Sequence, residues 1–333
     1  MRVLVTGGLG FIGSHTCIDL LERNFDIAIV DDLSNSSKEI LRILKNLSKK
    51  NIEFYENNIT DKESIKKIFS EFRPNSVIHF AGLKSVSESI KKPDEYFEVN
   101  VKGTQNILNA MDFCGCKKII FSSSAVVYGK PKYNPCDESH PTNPTNPYGK
   151  TKLIAENIIH EWTKKTKNSK AIIFRYFNPI GAHSSGMIGE SPLGEANNIM
   201  PALLDVAIGK KEFLTIFGND YETRDGTGVR DYIHICDLSN AHAEGFNRID
   251  DLEGFIILNL GTGKNCSILE LLNTFQETTG LKIKNKIASR RSGDLGEVWA
   301  SNEKAKKMLG IDFPRSIKAM CEDALRYKLK KSS

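Results

Sequence analysis

The strongest constraint on this chain is seven residues long: Gly7-Gly8-Leu9-Gly10-Phe11-Ile12-Gly13, which follows an apolar run at 2–6 and opens a helical stretch at 12–23. It satisfies G-x-x-G-x-x-G from Gly7 and G-x-G-x-x-G from Gly8. Glycines at these positions permit a tight strand-to-helix turn and let the backbone approach a pyrophosphate, which the helix N–H groups and dipole then favour. The motif alone is a weak signal, because tight strand–helix turns of no function also use glycine. Asp31, at the end of a second apolar run, strengthens it. A carboxylate roughly 20 residues after the glycines accepts bonds from the adenosine ribose hydroxyls and repels a 2′-phosphate. NAD is therefore expected over NADP.

The first half alternates two kinds of segment. Runs at 2–6, 26–30, 52–55, 76–80, 118–122 and 171–177 are continuously apolar, as parallel strands covered on both faces require. Helical stretches at 12–23, 38–49, 62–72, 93–113 and 148–165 lie between them. The alternation predicts right-handed βαβ units and an α/β, doubly wound, mostly parallel sheet of the Rossmann type. Residues 178–228 change character, being rich in Gly, Pro and Asn with only short regular pieces, which reads as a substrate lid. Residues 256–260 read as one more strand returning to the main sheet, and helices near 268–279 and 302–309 are expected to close the chain. No internal repeat or low-complexity tract is present.

Bulk properties narrow the function classes. At 333 residues the chain exceeds what one core usually serves, so a large domain and a smaller one are expected. The formal charge of +5 is dispersed, and the clusters at Lys164-Lys165 and 328–331 read as solvated helix faces rather than a nucleic-acid footprint. A modest positive balance suits an anionic small substrate. Seven scattered cysteines without a CxxC pair read as reduced thiols of a cytoplasmic protein, with no metal site. Residues 1–13 superficially resemble a signal peptide, but four glycines interrupt the apolar run and no cleavage site follows. No run of about 18 apolar residues exists to span a membrane.

A second set of residues supplies candidate chemistry. Ser122-Ser123-Ser124 lies at the end of the fifth predicted strand, and Tyr148-Gly149-Lys150-Thr151-Lys152 opens the next helix. In an open parallel sheet ligands bind beyond the carboxyl ends of the strands, so both elements face one crevice. Tyr148 and Lys152, four apart, share a helix face. A tyrosine is a poor base near neutral pH, but a lysine one turn away and a positive nicotinamide ring favour its phenolate. Ser124 bridges the reacting hydroxyl and the tyrosine oxygen. The Y-x-x-x-K spacing is common and usually structural; its order behind the glycine loop and Asp31 makes it a site.

Eight segments carry a resemblance that runs almost end to end. They are VTGGLGFIGSH (5–15), HFAGLKSVSES (79–89), FSSSAVVYG (121–129), NPYGKTK (146–152), RYFNPIGAH (175–183), NNIMP (197–201), GNDYETRDGTGVRDYIH (218–234) and RRSGDLGEVWA (290–300). With them the chain resembles the UDP-glucose (UDP-galactose) 4-epimerases of the extended short-chain dehydrogenase/reductase superfamily. The resemblance implies a Rossmann domain over 1–177, with returning segments around 230–260, and a smaller α/β UDP-sugar-binding domain over 178–333.

By that resemblance NAD is held by Gly7, Gly10, Phe11, Ile12, Gly13, Asp31, Asp32, Leu33, Ser34, Asn35, Ser36, Asn58, Ile59, Phe80, Ala81, Gly82, Lys84, Asn100, Ser122, Ser124, Tyr148, Lys152 and Phe177. Asn58 stands where the family frequently has aspartate; its amide is expected to accept from the adenine amino group. The UDP-hexose is expected to meet Lys84, Ser124, Tyr148, Asn178, Asn198, Ile199, Thr215, Phe217, Arg230, Arg291, Asp294 and Val298. Two arginines from separate segments can grip a diphosphate through charge-assisted bonds. The implied reaction removes hydride from sugar C4 and returns it to the opposite face, with Ser124, Tyr148 and Lys152 as the catalytic set.

Within the same superfamily the rival is a 4,6-dehydratase, which needs an acid–base pair after the Ser-rich strand. Ala125 and Val126 follow Ser124 here, with no carboxylate. A net reductase, or an NAD-binding regulator without turnover, are the remaining alternatives. Val298 departs from the tyrosine usual in strict glucose/galactose enzymes, and the lost ring volume predicts acceptance of N-acetylated sugars. The resemblance also implies a homodimer built from the helices at 93–113 and 148–165.

Overall fold

In the computed structural model of this chain, residues 1–193, 198–291 and 293–332 are described. The first half runs β1 (Arg2–Thr6), α1 (Phe11–Glu22), β2 (Asp26–Asp31), α2 (Lys38–Ser48), β3 (Glu53–Glu56), α3 (Lys62–Phe72), β4 (Ser76–His79), α4 (Val86–Lys91) and α5 (Pro93–Phe97). A π-helical turn at Glu98–Lys102 leads into α6 (Gly103–Cys114), then β5 (Lys118–Ser124), a short 3-10 turn at Ala125–Tyr128, α7 (Pro147–Lys165) and β6 (Lys170–Tyr176). The second half runs β7 (Asn178–Ile180), α8 (Ile199–Ala207), β8 (Leu214–Phe217), β9 (Val229–His234), α9 (Ile235–Arg248), β10 (Phe255–Leu260), β11 (Asn265–Ser267), α10 (Ile268–Thr279), β12 (Asn285–Ala288), β13 (Glu297–Val298), α11 (Glu303–Leu309) and α12 (Ile317–Ser332).

The main sheet has seven strands in the order β10-β6-β5-β4-β1-β2-β3, all parallel. The continuous apolar runs have a direct cause. Val3, Val5, Ile27 and Ile29 point into a core shared with α1 and α9, whereas Leu4, Ala28 and Val30 point into one shared with α3, α6 and α7. Successive side chains alternate faces, so a strand covered on both must be apolar throughout. After β3 the chain crosses to the other side of β1 to lay down β4. That reversal opens a crevice at the carboxyl ends of β1 and β4, where open α/β sheets bind ligands.

The second half builds a smaller unit. β11, β9 and β13 form a sheet to which β7 adds beside β9, and β8 pairs with β12. α8, α10 and α12 pack a separate core around Leu203, Leu271, Phe275 and Met320. The return to the first half starts at α9, which packs on α1, and ends with β10 beside β6; β9 itself stays in the smaller sheet.

Two sequence expectations are corrected. The helix expected at 93–113 is interrupted by the π turn, where Asn100 holds two other segments. α9 and α12 were not anticipated, and α12, rather than α11, closes the chain. Within 178–228, where only short regular pieces were expected, β7, α8 and β8 are the regular elements among the described residues. Asn197 and Ser292, inside two of the quoted segments, lie outside the described residues.

Candidate active site

The glycine run is compact because three of its residues have no room for a side chain. Gly7 has φ +67°, and a Cβ there would stand 2.7 Å from the Ala81 amide nitrogen. A Cβ at Gly13 would overlap the Gly7 carbonyl oxygen, and one at Gly8 would press on Ile29 at 2.9 Å. Gly10 is the N-cap of α1 and brings no side-chain cap, so the amides of the first turn stay available to an anion.

Asp31 organises the second part of this cleft. Its Oδ2 accepts from the Leu9 amide at 3.0 Å, and its Oδ1 from the Leu33 amide at 3.0 Å and the Ser36 hydroxyl at 2.7 Å. Leu33 adopts φ +61° to make this turn. Asp32 accepts from the Ser34 amide and hydroxyl and from the Asn58 amide group at 2.7 Å. The Asn58 oxygen already accepts twice from Thr60, at 2.9 and 2.7 Å. Two bonds fill the lone pairs of an amide oxygen. Accepting from an adenine amino group therefore requires Thr60 to release one of them. Ile59 is buried against Gly103, and Asn35 accepts from the Leu193 amide at 3.5 Å.

On the other side of the crevice, Phe80, Ala81, Gly82 and Lys84 follow β4. Asn100 clamps this segment, accepting from the Leu83 amide at 2.8 Å and donating to the Leu83 carbonyl and the Thr151 hydroxyl, both at 3.0 Å. The same clamp reaches α7, the helix of Tyr148 and Lys152. Asn146 caps that helix by accepting from the Gly149 amide at 2.9 Å, with Pro147 in its first turn.

Ser124 ends β5, and Tyr148 and Lys152 lie in the first turns of α7. Lys152 donates from Nζ to the Ser122 carbonyl at 2.8 Å and lies 4.9 Å from the Phe121 ring centre. Burial lowers its ammonium to about 8, with Glu156 pulling the other way. Burial holds the Tyr148 phenol above its ordinary value, opposed by a hydrogen bond with Ser124. Behind them lies a pair that sequence reasoning missed: Arg175 grips Glu156 through Nε at 3.0 Å and Nη2 at 2.6 Å, and the Ser123 hydroxyl donates to the same carboxylate. Tyr148, Lys152 and Glu156 are spaced by four, so the spacing that found two of them also carried the third.

Of the expected substrate residues, Arg230 lies on β9, and Asn178 and Val298 lie on strands that pair with it. Val298 on β13 is registered opposite Arg230 and shares a cluster with Phe177, Val127 and the partly buried Ala125. The Arg230 guanidinium donates to the Val229 carbonyl at 2.9 Å and reaches the Gly296 carbonyl at 3.4 Å. Arg291 stacks 4.8 Å from the Phe217 ring centre and donates to Asp294 at 2.8 Å. Thr215 precedes Phe217 on β8, and Asn178 starts β7. Asn198, the N-cap of α8 before Ile199, donates to Glu190 Oε1 at 2.8 Å, and Lys84 lies 3.7 Å from the same oxygen. Glu190, another residue without a sequence signal, thus ties Lys84 from the first half to Asn198 from the second.

Comparison with known proteins agrees across the whole chain. The family model described as GDP-mannose 4,6 dehydratase matches residues 4–324. UDP-glucose 4-epimerase from Bacillus subtilis is 45% identical over 328 residues, covering 98% of this chain and 97% of that protein. UDP-glucose 4-epimerase 2 from Arabidopsis thaliana is 47% identical over 325 residues, covering 96% and 93%. The crystal structure of UDP-glucose 4-epimerase from Bifidobacterium longum in complex with NAD+ and UDP superposes with a TM-score of 0.97 at 41% identity, covering 100% of this chain and 99% of that one.

Proposed function

The chain belongs to the UDP-glucose 4-epimerase family, and from that premise we infer that it interconverts UDP-glucose and UDP-galactose at C4 with bound NAD. It is an isomerase: the hydride leaves and returns within one turnover, so no net redox change occurs. The observation that carries this choice over its relatives is the Ala125–Tyr128 turn after Ser124, which offers no carboxylate for eliminating water although the matching family model bears a dehydratase's name.

The residues present fit NAD. The space that a Cβ at Gly7 or Gly13 would fill is closed by backbone, the first-turn amides of α1 lack a side-chain cap, and Asp31 stands at the end of β2. Gly7, Gly10, Gly13, Asp31 and Asn100 would hold it, with Lys152 near the ribose. When bound, NAD supplies the hydride acceptor and donor for C4.

The chain's own residues do the rest. Tyr148 Oη takes the C4 hydroxyl proton and later returns it, while Ser124 fixes the hydroxyl against it. Lys152 keeps a positive charge beside the developing phenolate. Arg230 and Arg291 grip the diphosphate, which anchors the nucleotide while the 4-keto sugar turns over within the pocket. Val298, smaller than an aromatic residue, leaves room beside the sugar for an acetamido group, so UDP-N-acetylglucosamine is a second substrate. The helix faces bearing the exposed Phe97 and Phe113 suit a homodimer through α5, α6 and α7. All seven cysteines are free thiols, which supports a cytoplasmic enzyme; among the described residues no helix is long and apolar enough to cross a membrane.

The test is to incubate purified protein with UDP-galactose, without added nicotinamide, and assay UDP-glucose. Conversion is expected; no product from any UDP-hexose would sink the epimerase reading.

A further inference from the structure

Tyr221 lies in the segment GNDYETRDGTGVRDYIH and has no role in the sequence reading. The residue is only 8% exposed, and its ring is packed from several sides. A Cβ on Gly218 would stand 2.6 Å from its Cε2, and one on Gly296 3.4 Å from its Cδ1. The Arg290 guanidinium stacks 4.2 Å from the ring centre and is itself held by Asp220 at 2.7 Å. The Tyr221 amide donates to the Gly226 carbonyl at 3.0 Å, which anchors the backbone.

Held this way, the hydroxyl cannot swing to a new acceptor. It is buried and, among the described residues, has no hydrogen-bond partner. Folded proteins seldom leave such a group, because an unmet buried donor retains its full desolvation cost. The charges that reach it are those of Asp294, Arg290, Arg230 and Arg291. Gly296 connects the two sites directly: the glycine that packs on the Tyr221 ring offers its carbonyl to Arg230 at 3.4 Å.

We propose that Tyr221 is a further substrate-binding residue, whose hydroxyl donates a hydrogen bond to a phosphate oxygen of the nucleoside diphosphate held by Arg230 and Arg291. A phosphate oxygen only accepts, and the phenol is the donor that lacks an acceptor. Two guanidinium groups nearby favour an anion over a ribose hydroxyl at this point. The flanking side chains of Arg290 and Arg291 are 45% and 47% exposed, so rotamer changes suffice to admit the ligand. The inference rests on the diphosphate role proposed for the two arginines.

Tyr221→Phe keeps the ring and its packing and removes only the oxygen. Binding of UDP and of uridine is measured by calorimetry, alongside kcat and KM for UDP-glucose and the melting temperature. The variant should bind UDP about tenfold more weakly, the loss expected for one hydrogen bond to a charged acceptor. KM should rise by the same factor with kcat unchanged, since the bond is made equally in ground and transition states. Uridine binding should not change, and the melting temperature should hold or rise. Unaltered UDP binding, an equal loss for uridine, or a lowered melting temperature would each overturn the proposal. Wild-type protein that fails to bind UDP would instead overturn the role of Arg230 and Arg291.

Discussion

Glu156 lies one helical turn beyond Lys152 and is gripped by Arg175 through two hydrogen bonds of 3.0 and 2.6 Å, with both side chains at most 4% exposed. Glu156 continues the α7 face that bears Tyr148 and Lys152. A buried pair adds little over an apolar equivalent, but losing one partner leaves a charge uncompensated. Glu156→Gln is therefore expected to destabilise the fold by about 3–5 kcal/mol. Urea unfolding of wild type and variant measures it, and a loss below about 1 kcal/mol would show that the guanidinium finds other partners.

Lys152 is expected to set the alkaline limit of activity. Burial lowers its ammonium to about 8, so the charge that supports the phenolate is complete below that value and is lost as pH rises through it. kcat/KM for UDP-glucose should fall on the alkaline side with a midpoint at about 8. A midpoint near the ordinary lysine value of about 10.4 would mean that the ammonium is hydrated in the working enzyme.

Tyr148→Phe removes the proposed proton acceptor and leaves the ring contact with Tyr96, whose centroid is 6.4 Å away. The expected loss in kcat is about 10²- to 10⁴-fold, the usual contribution of a positioned acid–base group, with UDP binding unaltered. Weaker UDP binding of similar size would place Tyr148 in the nucleotide grip instead.

Gly13→Ala tests the cradle. The added methyl would overlap the Gly7 carbonyl, so the turn must open or α1 must shift along its axis. Purified variant is expected to carry little NAD, read from the absorbance of cofactor released on denaturation. Full occupancy would show that the pyrophosphate is not held at this turn.

What the sequence disclosed depended on how local the determinants were. β1, β2 and α3 are legible because two-sided burial or a helical apolar stripe is written into consecutive residues. α9 reads ICDLSNAHAEGFNR, with Ser, Asn, His and Gly that favour other conformations in isolation; burial against α1 overrides them. α12 did carry a signal, since its buried Met320, Ala324 and Tyr327 recur at helical spacing among charged residues. In the site, Tyr148 and Lys152 share one helix face and were accessible to spacing. Glu190 and Tyr221 draw their meaning from Lys84, Asn198, Arg230 and Gly296, which lie on other segments. No pattern within a window reports such convergence.

Val298 illustrates the same limit and provides a direct test of substrate choice. It is registered opposite Arg230 and packs with Phe177 and with Val127 of the turn that follows Ser124, so it adjoins both the proposed diphosphate grip and the proposed proton-transfer residues. A residue there can alter which sugar is accepted without touching the catalytic set. Val298→Tyr would add an aromatic ring to a position only 9% exposed, so the volume must come from the sugar pocket or from displaced neighbours. Turnover of UDP-N-acetylglucosamine is expected to fall at least about tenfold, as a pocket closed to an acetamido group requires, while UDP-glucose is converted within about threefold of the wild-type rate. A parallel loss for both sugars would mean that the ring displaces Phe177 or Arg230 rather than filling the pocket. If wild type and variant both leave UDP-N-acetylglucosamine unreacted, neighbouring side chains already occupy the space, and Val298 does not set specificity.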